Sequence, residues 1–457
     1  MAQDLKDLTR GPLAKQLLLF SLPLMVSNVL QVLFNMSDVA VVGRFGSSTA
    51  LGSVGSTTIL VTLYVGLLIG MGNGINVVVA HSLGARNERD VREAVHTSLL
   101  LSLLTGILVM VFSLLLSPFL LRLLNTKDEF MAGANLYLRI YSCGFPALAV
   151  YNFANAVYSA AGNTKKPLLF LTASGIINVC LNVFFVVVVR LDVAGVAIAS
   201  IISQYITAAL VTVSLFRAPE VYGLRRSDLG FSARQARRIV PLGAASALQY
   251  SIFAIANLFI QTGVNQFNAT LVSGNSAAGN ADTLVYDLLA AFYVGCSSFI
   301  GQNYGAHNKE RILKSYLISL GYSFGAGAIM GVLFLVLGRP FLSLFTTDPQ
   351  VVEAGLYRLT IMSFSYCVSA FMDCSIAASR GLGKSFVPTV VVILGSCVFR
   401  IAWVYTVFAH FGTPQSLYLL YIFSWAITAI PETLYFLHCY RRQTSGFAPA
   451  ESTQPAA

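Results

Sequence analysis

The stretch LLLSLLTGILVMVFSLLLSPFLL, residues 99–121, carries no charged side chain. An α-helix of about 20 apolar residues crosses the roughly 30 Å hydrocarbon core of a lipid bilayer. A second run, LLFLTASGIINVCLNVFFVVVV at residues 168–189, has the same apolar character. A membrane-spanning β-barrel would instead show short segments of alternating polarity. Both runs therefore predict an all-α integral membrane protein.

The composition supports this class along the whole chain. Of the 457 residues, 56% are hydrophobic and 11% are charged, whereas about 25% of the residues in a soluble domain are charged. The apolar spans and their polar interruptions predict twelve transmembrane helices. The seven cysteines and five histidines are scattered, so their spacing predicts neither a disulfide framework nor a metal site.

The net charge of +10 could suggest a nucleic-acid partner, but the positions of the basic residues indicate membrane topology instead. Most of the Lys and Arg residues lie in alternate loops between the apolar spans. Cytoplasmic loops of membrane proteins are enriched in these two residues. The pattern predicts a multi-pass protein of the cell membrane with both termini in the cytoplasm and no nucleic-acid partner.

The two halves of the sequence repeat each other. SLGARNERDVREAVHTSL at 82–99 parallels NYGAHNKERILKSYLISL at 303–320, and AAGNTKKP at 160–167 parallels SRGLGKSFVP at 379–388. Because six helices per half is an even number, both halves enter the membrane from the same side. The repeat predicts two six-helix bundles related by a pseudo-twofold axis along the membrane normal.

The repeat also sets the predicted domain boundaries. An N-lobe of helices 1–6 covers residues 1–216, and a C-lobe of helices 7–12 covers residues 239–441. The basic stretch 217–238 between them is predicted to be a cytoplasmic linker that contacts anionic lipid. The polar residues 442–457 are predicted to form a disordered tail.

Two further stretches, SLPLMVSNVLQVLFNMSDVAVVGRFG at 21–46 and INVCLNVFF at 177–185, complete a pattern with the duplicated loops. In the order and duplication of these elements, the chain resembles the multidrug and toxic-compound extrusion (MATE) family of secondary transporters over nearly all of residues 10–441. The resemblance implies alternating access between two six-helix bundles. It also implies export of mostly cationic, amphipathic small molecules on a proton or sodium gradient. We expect a monomer in contact with membrane lipid, without enzymatic activity and without an organic cofactor.

Asp38 stands at the end of a long apolar run in the predicted first helix. An ionised carboxylate at membrane depth costs at least about 2.5–3.5 kcal/mol, so such an acid suggests a function. Gln31 lies seven residues earlier, two helical turns away on the same helix face. One interpretation is that Asp38 binds a proton or a cation. The other is that it ends the helix at the outer interface or pairs with Arg44.

Comparison with the family's cation site, residue by residue, adds candidates to Asp38. The implied cation-coupling residues are Asp38, Gln31, Asn178, Tyr137 and Asn155. A fifth-helix aspartate that is common in the family corresponds to Asn182 in this sequence. The N-lobe therefore has one acid where relatives often have two, which leaves proton and sodium coupling both open.

Charged residues of the C-lobe are predicted to lie within helices: Asp282 and four candidate site residues, Asp287, Asp373, Arg400 and Glu432. At 1.5 Å of rise per residue, Asp287 and Arg400 lie roughly 27 and roughly 24 Å from the cytoplasmic ends of their helices, and this similar depth predicts an ion pair. Asp373 and Glu432 are candidates for attracting a cationic substrate or for a second proton site. Their alternative role is a structural contact.

Three other functions are compatible with a helical membrane protein. A lipid-linked oligosaccharide flippase of the same superfamily would have a strongly basic cavity, to which only Arg400, Arg139 and Arg358 could contribute here. An intramembrane prenyltransferase needs clustered aspartates to bind magnesium and diphosphate, and the sequence has no such cluster. A passive channel would need a carbonyl filter or a ring of charges. We therefore predict an ion-coupled antiporter, with the flippase as the alternative.

Overall fold

The structure, a computed structural model, describes residues 7–47 and 49–447, which contain twelve helical segments and no strand. The segments are α1 (Leu13–Phe45), α2 (Ala50–Gly84), α3 (Glu88–Leu123), α4 (Asp128–Ser142 and Phe145–Ala160), α5 (Lys165–Val188), α6 (Asp192–Phe216), α7 (Ala233–Val264), α8 (Ala269–Gly305), α9 (Lys309–Leu342), α10 (Pro349–Gly381), α11 (Phe386–Phe411) and α12 (Pro414–Gln443). In the described part of the chain, eleven of these helices are long and apolar enough to cross a membrane. The remaining segment, α4, is divided into two shorter helices. The predicted all-α fold is confirmed.

Helix α4 is interrupted between Ser142 and Phe145. Pro146 has no N–H to donate to the carbonyl of Ser142, so the regular α-helical hydrogen bonding fails there. Gly144 also lies against α6, because a Cβ at this position would be 2.0 Å from Oε1 of Gln204. A proline and a close helix contact therefore act together at this break.

The duplicated loop motif forms the same turn twice. Arg86 after α2 and His307 after α8 both have left-handed backbone conformations, with φ angles of 52° and 56°. The next residues, Asn87 and Asn308, each accept a hydrogen bond from a backbone N–H three residues later, at 3.1 and 3.2 Å. Asparagine is a favoured helix N-cap for this reason. The repeated sequence motif therefore encodes the end of one helix followed directly by the start of the next.

Contacts divide the described residues into two compact units. The first unit contains residues 26–79 and 87–251, and the second contains residues 7–25, 80–86 and 252–447. The beginning of α1 and the end of α2 thus pack with later helices, although they belong to the first half of the sequence repeat. The predicted lobes follow the repeat and remain a prediction.

The N-terminal segment is held in the second unit before α1 begins. The guanidinium of Arg311 donates a hydrogen bond to the carbonyl oxygen of Leu8 at 3.1 Å. Partial burial acts to raise the pKa of Asp7, but hydrogen bonds from Thr9 and the charge of Arg86 outweigh it, so the pKa lies below its ordinary value. Asp7 is therefore a carboxylate that its neighbours keep ionised.

The predicted linker is folded onto α3 within the first unit. Two of its backbone N–H groups, those of Arg225 and Ser232, donate to side chains of α3 at 3.0 Å. Helix α7 then begins at Ala233, inside the range 217–238 that was predicted as linker. The helix starts earlier than hydropathy suggests because a helix can continue beyond the apolar layer.

The first residues of the predicted tail, up to Phe447, are structured. Helix α12 continues through Gln443, two residues into the predicted tail 442–457. The ring of Phe447 packs against Tyr304 and His307, with ring centroids 5.7 and 4.7 Å apart. Residues 448–457 lie outside the described residues.

Candidate cation-coupling site

Helix α1 approaches α5 closely in the first unit. Phe34, one turn before Asp38, packs on α5 at Gly175, where a Cβ would lie 1.9 Å from the phenyl ring. Gly175 in turn precedes Asn182 by seven residues, or two helical turns. The glycine therefore lets the two helices come near enough for Asp38 to reach Asn182.

Both oxygens of the Asp38 carboxylate accept hydrogen bonds. The side-chain amide of Asn182 on α5 donates to Oδ1, and the hydroxyl of Ser200 on α6 donates to Oδ2 at 3.3 Å. Within the described residues, no Lys or Arg forms an ion pair with this carboxylate. The guanidinium of Arg44 lies 5.9 Å from the ring of Phe45 instead. The structure thus does not show the alternative pairing of Asp38 with Arg44.

The hydrogen bonds continue from Asp38 along α5 to α6. Asn182 is fully buried, and its amide nitrogen also donates to Oδ1 of Asn178 at 3.2 Å. The amide of Asn178 donates in turn to Oγ of Ser203 at 3.3 Å. The two asparagines share one face because they are four residues apart. The structure therefore joins Asp38, Asn182 and Asn178 into one polar network. Their role in cation coupling stays a prediction.

One oxygen of this network has no partner. Oδ1 of Asn182 is buried and makes no hydrogen bond within the described residues. Hard cations prefer carboxylate, amide and hydroxyl oxygens as ligands, and a carboxylate also accepts a proton. The donor atoms around Asp38 therefore suit a proton or a sodium ion.

The backbone widens immediately after Asn182. Residues Phe184–Val188 of α5 form a π-helical turn. Turns of this kind are rare in proteins overall, but those that occur are often found at functional sites, because the extra residue redirects the following side chains. This irregularity lies next to the polar network and gives α5 a local point of deformation.

Two tyrosines of α4 lie near the carboxylate. Tyr137 is 7% exposed and stacks on Tyr141, with ring centroids 5.5 Å apart. Both phenols interact electrostatically with Asp38. Tyr137 was expected here, whereas Tyr141 was not. Its position four residues after Tyr137 is the signal that could have identified it.

The two remaining predicted residues are not part of this network. Gln31 is exposed and Asn155 is half-buried, and neither makes a hydrogen bond within the described ranges. Gln31 does share a helix with Asp38, but seven residues place the two side chains about 10 Å apart along the axis. Ser200 and Ser203 of α6 were missed, although their spacing of three residues puts both on one helix face.

The second unit contradicts one predicted ion pair. Arg400 is 3% exposed, and its Nε donates to Oγ of Ser424 at 3.0 Å. In the described part of the chain it forms no ion pair with Asp287, and it interacts electrostatically with Asp373 instead. Similar depth in the membrane did not predict this ion pair correctly. Depth gives only the position of a residue along the helix axis, whereas the rotation of each helix about that axis decides where the side chain points.

The other predicted acids of the second unit lie near each other. Glu432 is fully buried, and neither carboxylate oxygen has a hydrogen-bond partner within the described residues. It interacts electrostatically with Arg380 and Asp373. Asp373 also interacts with both Arg380 and Arg400. Helices α10, α11 and α12 thus bring three of the four C-lobe candidates into one charged neighbourhood.

A buried ion pair near the start of α8 was not predicted. Arg358 on α10 pairs with Asp282 and donates to the backbone and side-chain oxygens of Asn275, both at 2.8 Å. The hydroxyl of Tyr366 donates to the second oxygen of Asp282 at 2.6 Å. Asn275 and Asp282 are two helical turns apart, which is the sequence signal that was overlooked. The two charges of the cluster therefore compensate each other.

The family model MatE matches residues 23–184 and 241–406, which together make up more than half of the chain. The chain belongs to the MatE family. The predicted resemblance to the MATE transporters is therefore confirmed. The protein is a multi-pass membrane transporter of small molecules and not an enzyme.

MatE relatives align along most of their length. Probable multidrug resistance protein YpnP of Bacillus subtilis is 28% identical over 368 residues, which are 79% of this chain and 80% of the relative. Probable multidrug resistance protein NorM of Thermotoga maritima is 24% identical over 408 residues, 87% of this chain and 86% of the relative. A solved outward-facing multidrug resistance MATE transporter superposes with a TM-score of 0.90 at 20% identity, covering 97% of this chain and 99% of that one.

The MatE match covers only part of the polar network. Asp38, Asn178 and Asn182 lie within its first range, whereas Ser200 and Ser203 lie beyond it. In this MatE protein, the acid and amides therefore belong to the matched family region, and the hydroxyls that complete their hydrogen bonds come from α6.

Proposed function

We propose that this protein is a secondary antiporter that exports cationic, amphipathic small molecules and is driven by a proton or sodium gradient. The observation that carries the proposal is the Asp38 carboxylate, which accepts hydrogen bonds from Asn182 and Ser200 but has no cationic partner in the described residues. An unpaired ionised acid at membrane depth is costly. A bound proton or sodium ion would neutralise it.

Transport is coupled to the gradient if the bound proton or sodium ion and the exported molecule favour different conformations of the protein. A ligand shifts a conformational equilibrium only by as much as its affinities for the two states differ. A cation on Asp38 would favour one arrangement, and the exported molecule would favour the other. The two ligands would then change each other's affinity by the same factor.

The substrate class rests on the family and on acidic side chains. Two relatives are named as multidrug resistance proteins. Asp373 and Glu432 are buried or half-buried acids that could attract a cationic molecule. We propose that Gln31, Tyr137 and Asn155 support the site in another conformation of the cycle. The basic loops orient the monomer with both termini in the cytoplasm of the cell.

Transport in everted membrane vesicles tests the proposal. A fluorescent cationic dye is supplied outside the vesicles, and its uptake is recorded under an imposed proton gradient or an imposed sodium gradient. We expect uptake under one of the two gradients, and we expect Asp38→Asn to abolish it while leaving the amount of folded protein unchanged. The matched control is Asp128→Asn, which changes an exposed acid in the first turn of α4.

Two outcomes would contradict parts of this proposal. If Asp38→Asn transports as the parent does, the coupling acid lies elsewhere, and Asp373→Asn and Glu432→Gln are the next variants. If the parent protein moves no cationic dye under either gradient, the cationic substrate class is wrong.

A further inference from the structure

Arg400 is a buried cation whose hydrogen-bonding capacity is mostly unused. A guanidinium has five N–H donors, and within the described residues only that of Nε makes a hydrogen bond, to Ser424. The terminal nitrogen Nη2 is buried without a partner. Leaving charged donors unsatisfied in a buried site costs stability. This arrangement is unlike that of Arg358, whose terminal nitrogens bind Asp282 and Asn275.

Aromatic rings surround the same guanidinium. Its central carbon lies 4.9 Å from the ring centroid of Tyr421, 5.5 Å from that of Phe253 and 5.8 Å from that of Trp425. Such cation–π contacts offset part of the cost of burying the charge. The three rings are only partly buried. Part of their surface is therefore exposed, and all three rings lie beside an underused fork of N–H donors.

The nearby acid does not complete the site. Asp373 interacts electrostatically with Arg400 but forms no ion pair with it in the described part of the chain. Asp373 is also shared with Arg380. The bidentate partner that suits an arginine fork is a carboxylate or a phosphate. None of the described residues provides such a partner for Arg400.

We propose that Arg400, Tyr421 and Trp425 form a binding site for planar aromatic carboxylates in the second unit. The carboxylate of the ligand accepts hydrogen bonds from the terminal nitrogens of Arg400. Its ring stacks against Trp425 or Tyr421. This adds an anionic class of ligand to the cationic substrates proposed above and does not depend on how transport is coupled.

The chain contains a reporter for this site. It has two tryptophans. Trp425 lies at Arg400, whereas Trp403 stacks on Phe423 with ring centroids 5.2 Å apart. In the full-length protein with Trp403→Phe, all tryptophan fluorescence comes from Trp425. Binding of a ring that quenches fluorescence can then be followed without transport and without any gradient.

The experiment titrates this single-tryptophan protein, purified in detergent, with three isosteric quenchers. They are 4-nitrobenzoate, 4-nitrobenzamide and 4-nitrobenzylammonium. We expect saturable quenching by the carboxylate, with a Kd at least about tenfold lower than that of the neutral amide. Arg400→Gln should remove this preference. Arg339→Gln, which changes an exposed arginine of α9, should retain it.

Three results would overturn the assignment. The first is equal affinity for carboxylate and amide in the parent protein. The second is an unchanged preference in folded Arg400→Gln. If that variant does not fold, Arg400→Lys decides, because lysine keeps the charge but loses the planar fork; an undiminished preference in Arg400→Lys is the third. None of these results bears on Asp38, whose test is gradient-driven transport.

Discussion

Asn182 on α5 donates a hydrogen bond to the carboxylate of Asp38 on α1, across 144 residues of sequence. The family resemblance implied an aspartate at the position of Asn182, and a second carboxylate there would repel the first. The amide instead satisfies one oxygen of Asp38 and adds no charge. Among the described residues, this network of the first unit therefore holds a single acid.

Asn182→Ala tests how much this contact stabilises the fold. The variant loses the donor to Asp38 and to Asn178, and leaving buried acceptors unsatisfied costs about 1–3 kcal/mol. We expect a lower midpoint of thermal unfolding in detergent. Asn155→Ala is the matched control, because this asparagine makes no hydrogen bond within the described residues. Equal shifts for the two variants would show that the network contributes no stability.

Gly84→Ala tests the close contact between the end of α2 and α8. A Cβ on Gly84 would lie 1.9 Å from the carbonyl oxygen of Gln302, so the backbone of one helix has to move. Overpacking of this kind costs about 1–3 kcal/mol, and we expect a lower unfolding temperature.

The control for this glycine is Gly325→Ala on α9. A Cβ at Gly325 meets nothing within 4 Å. Alanine is favoured over glycine in a helix by roughly 0.5–1 kcal/mol, so this variant should unfold at an unchanged or higher temperature. If Gly84→Ala behaves in the same way, the contact is not as tight as the structure shows.

Arg358→Met tests the buried ion pair with Asp282. Removing one partner of a buried pair costs about 3–5 kcal/mol, because the other charge is left uncompensated. We expect a large loss of thermal stability from this single change. The double variant Asp282→Leu with Arg358→Met should recover much of the loss, because no unpaired charge remains.

An exposed pair provides the comparison for Arg358. The side chains of Arg339 and Glu353 are 68% and 65% exposed and lie 2.8 Å apart. Exposed pairs contribute about 0–1 kcal/mol, so Arg339→Met should change the unfolding temperature little. A double variant at Asp282 and Arg358 that is less stable than Arg358→Met alone would contradict the expected recovery.

The class of protein and its helices were readable from the sequence. Apolar length and the positions of charged residues act locally along the chain, so they predict where a helix crosses the membrane. The duplicated motif that contains Asn87 and Asn308 likewise folds into the same turn twice. Each of these features depends on residues within a few positions of each other.

The contacts between helices were decided only by the tertiary structure. The depths of Asp287 and Arg400 follow from their positions in the chain, but the rotation of α8 and α11 about their axes does not. That rotation turns Arg400 toward Ser424 and three aromatic rings. For the same reason, the sequence did not identify Arg358 as the partner of Asp282. The position of a residue in the sequence decides how far along the helix axis its side chain lies. The packing of the helices against each other decides the direction of that side chain and the residues it contacts.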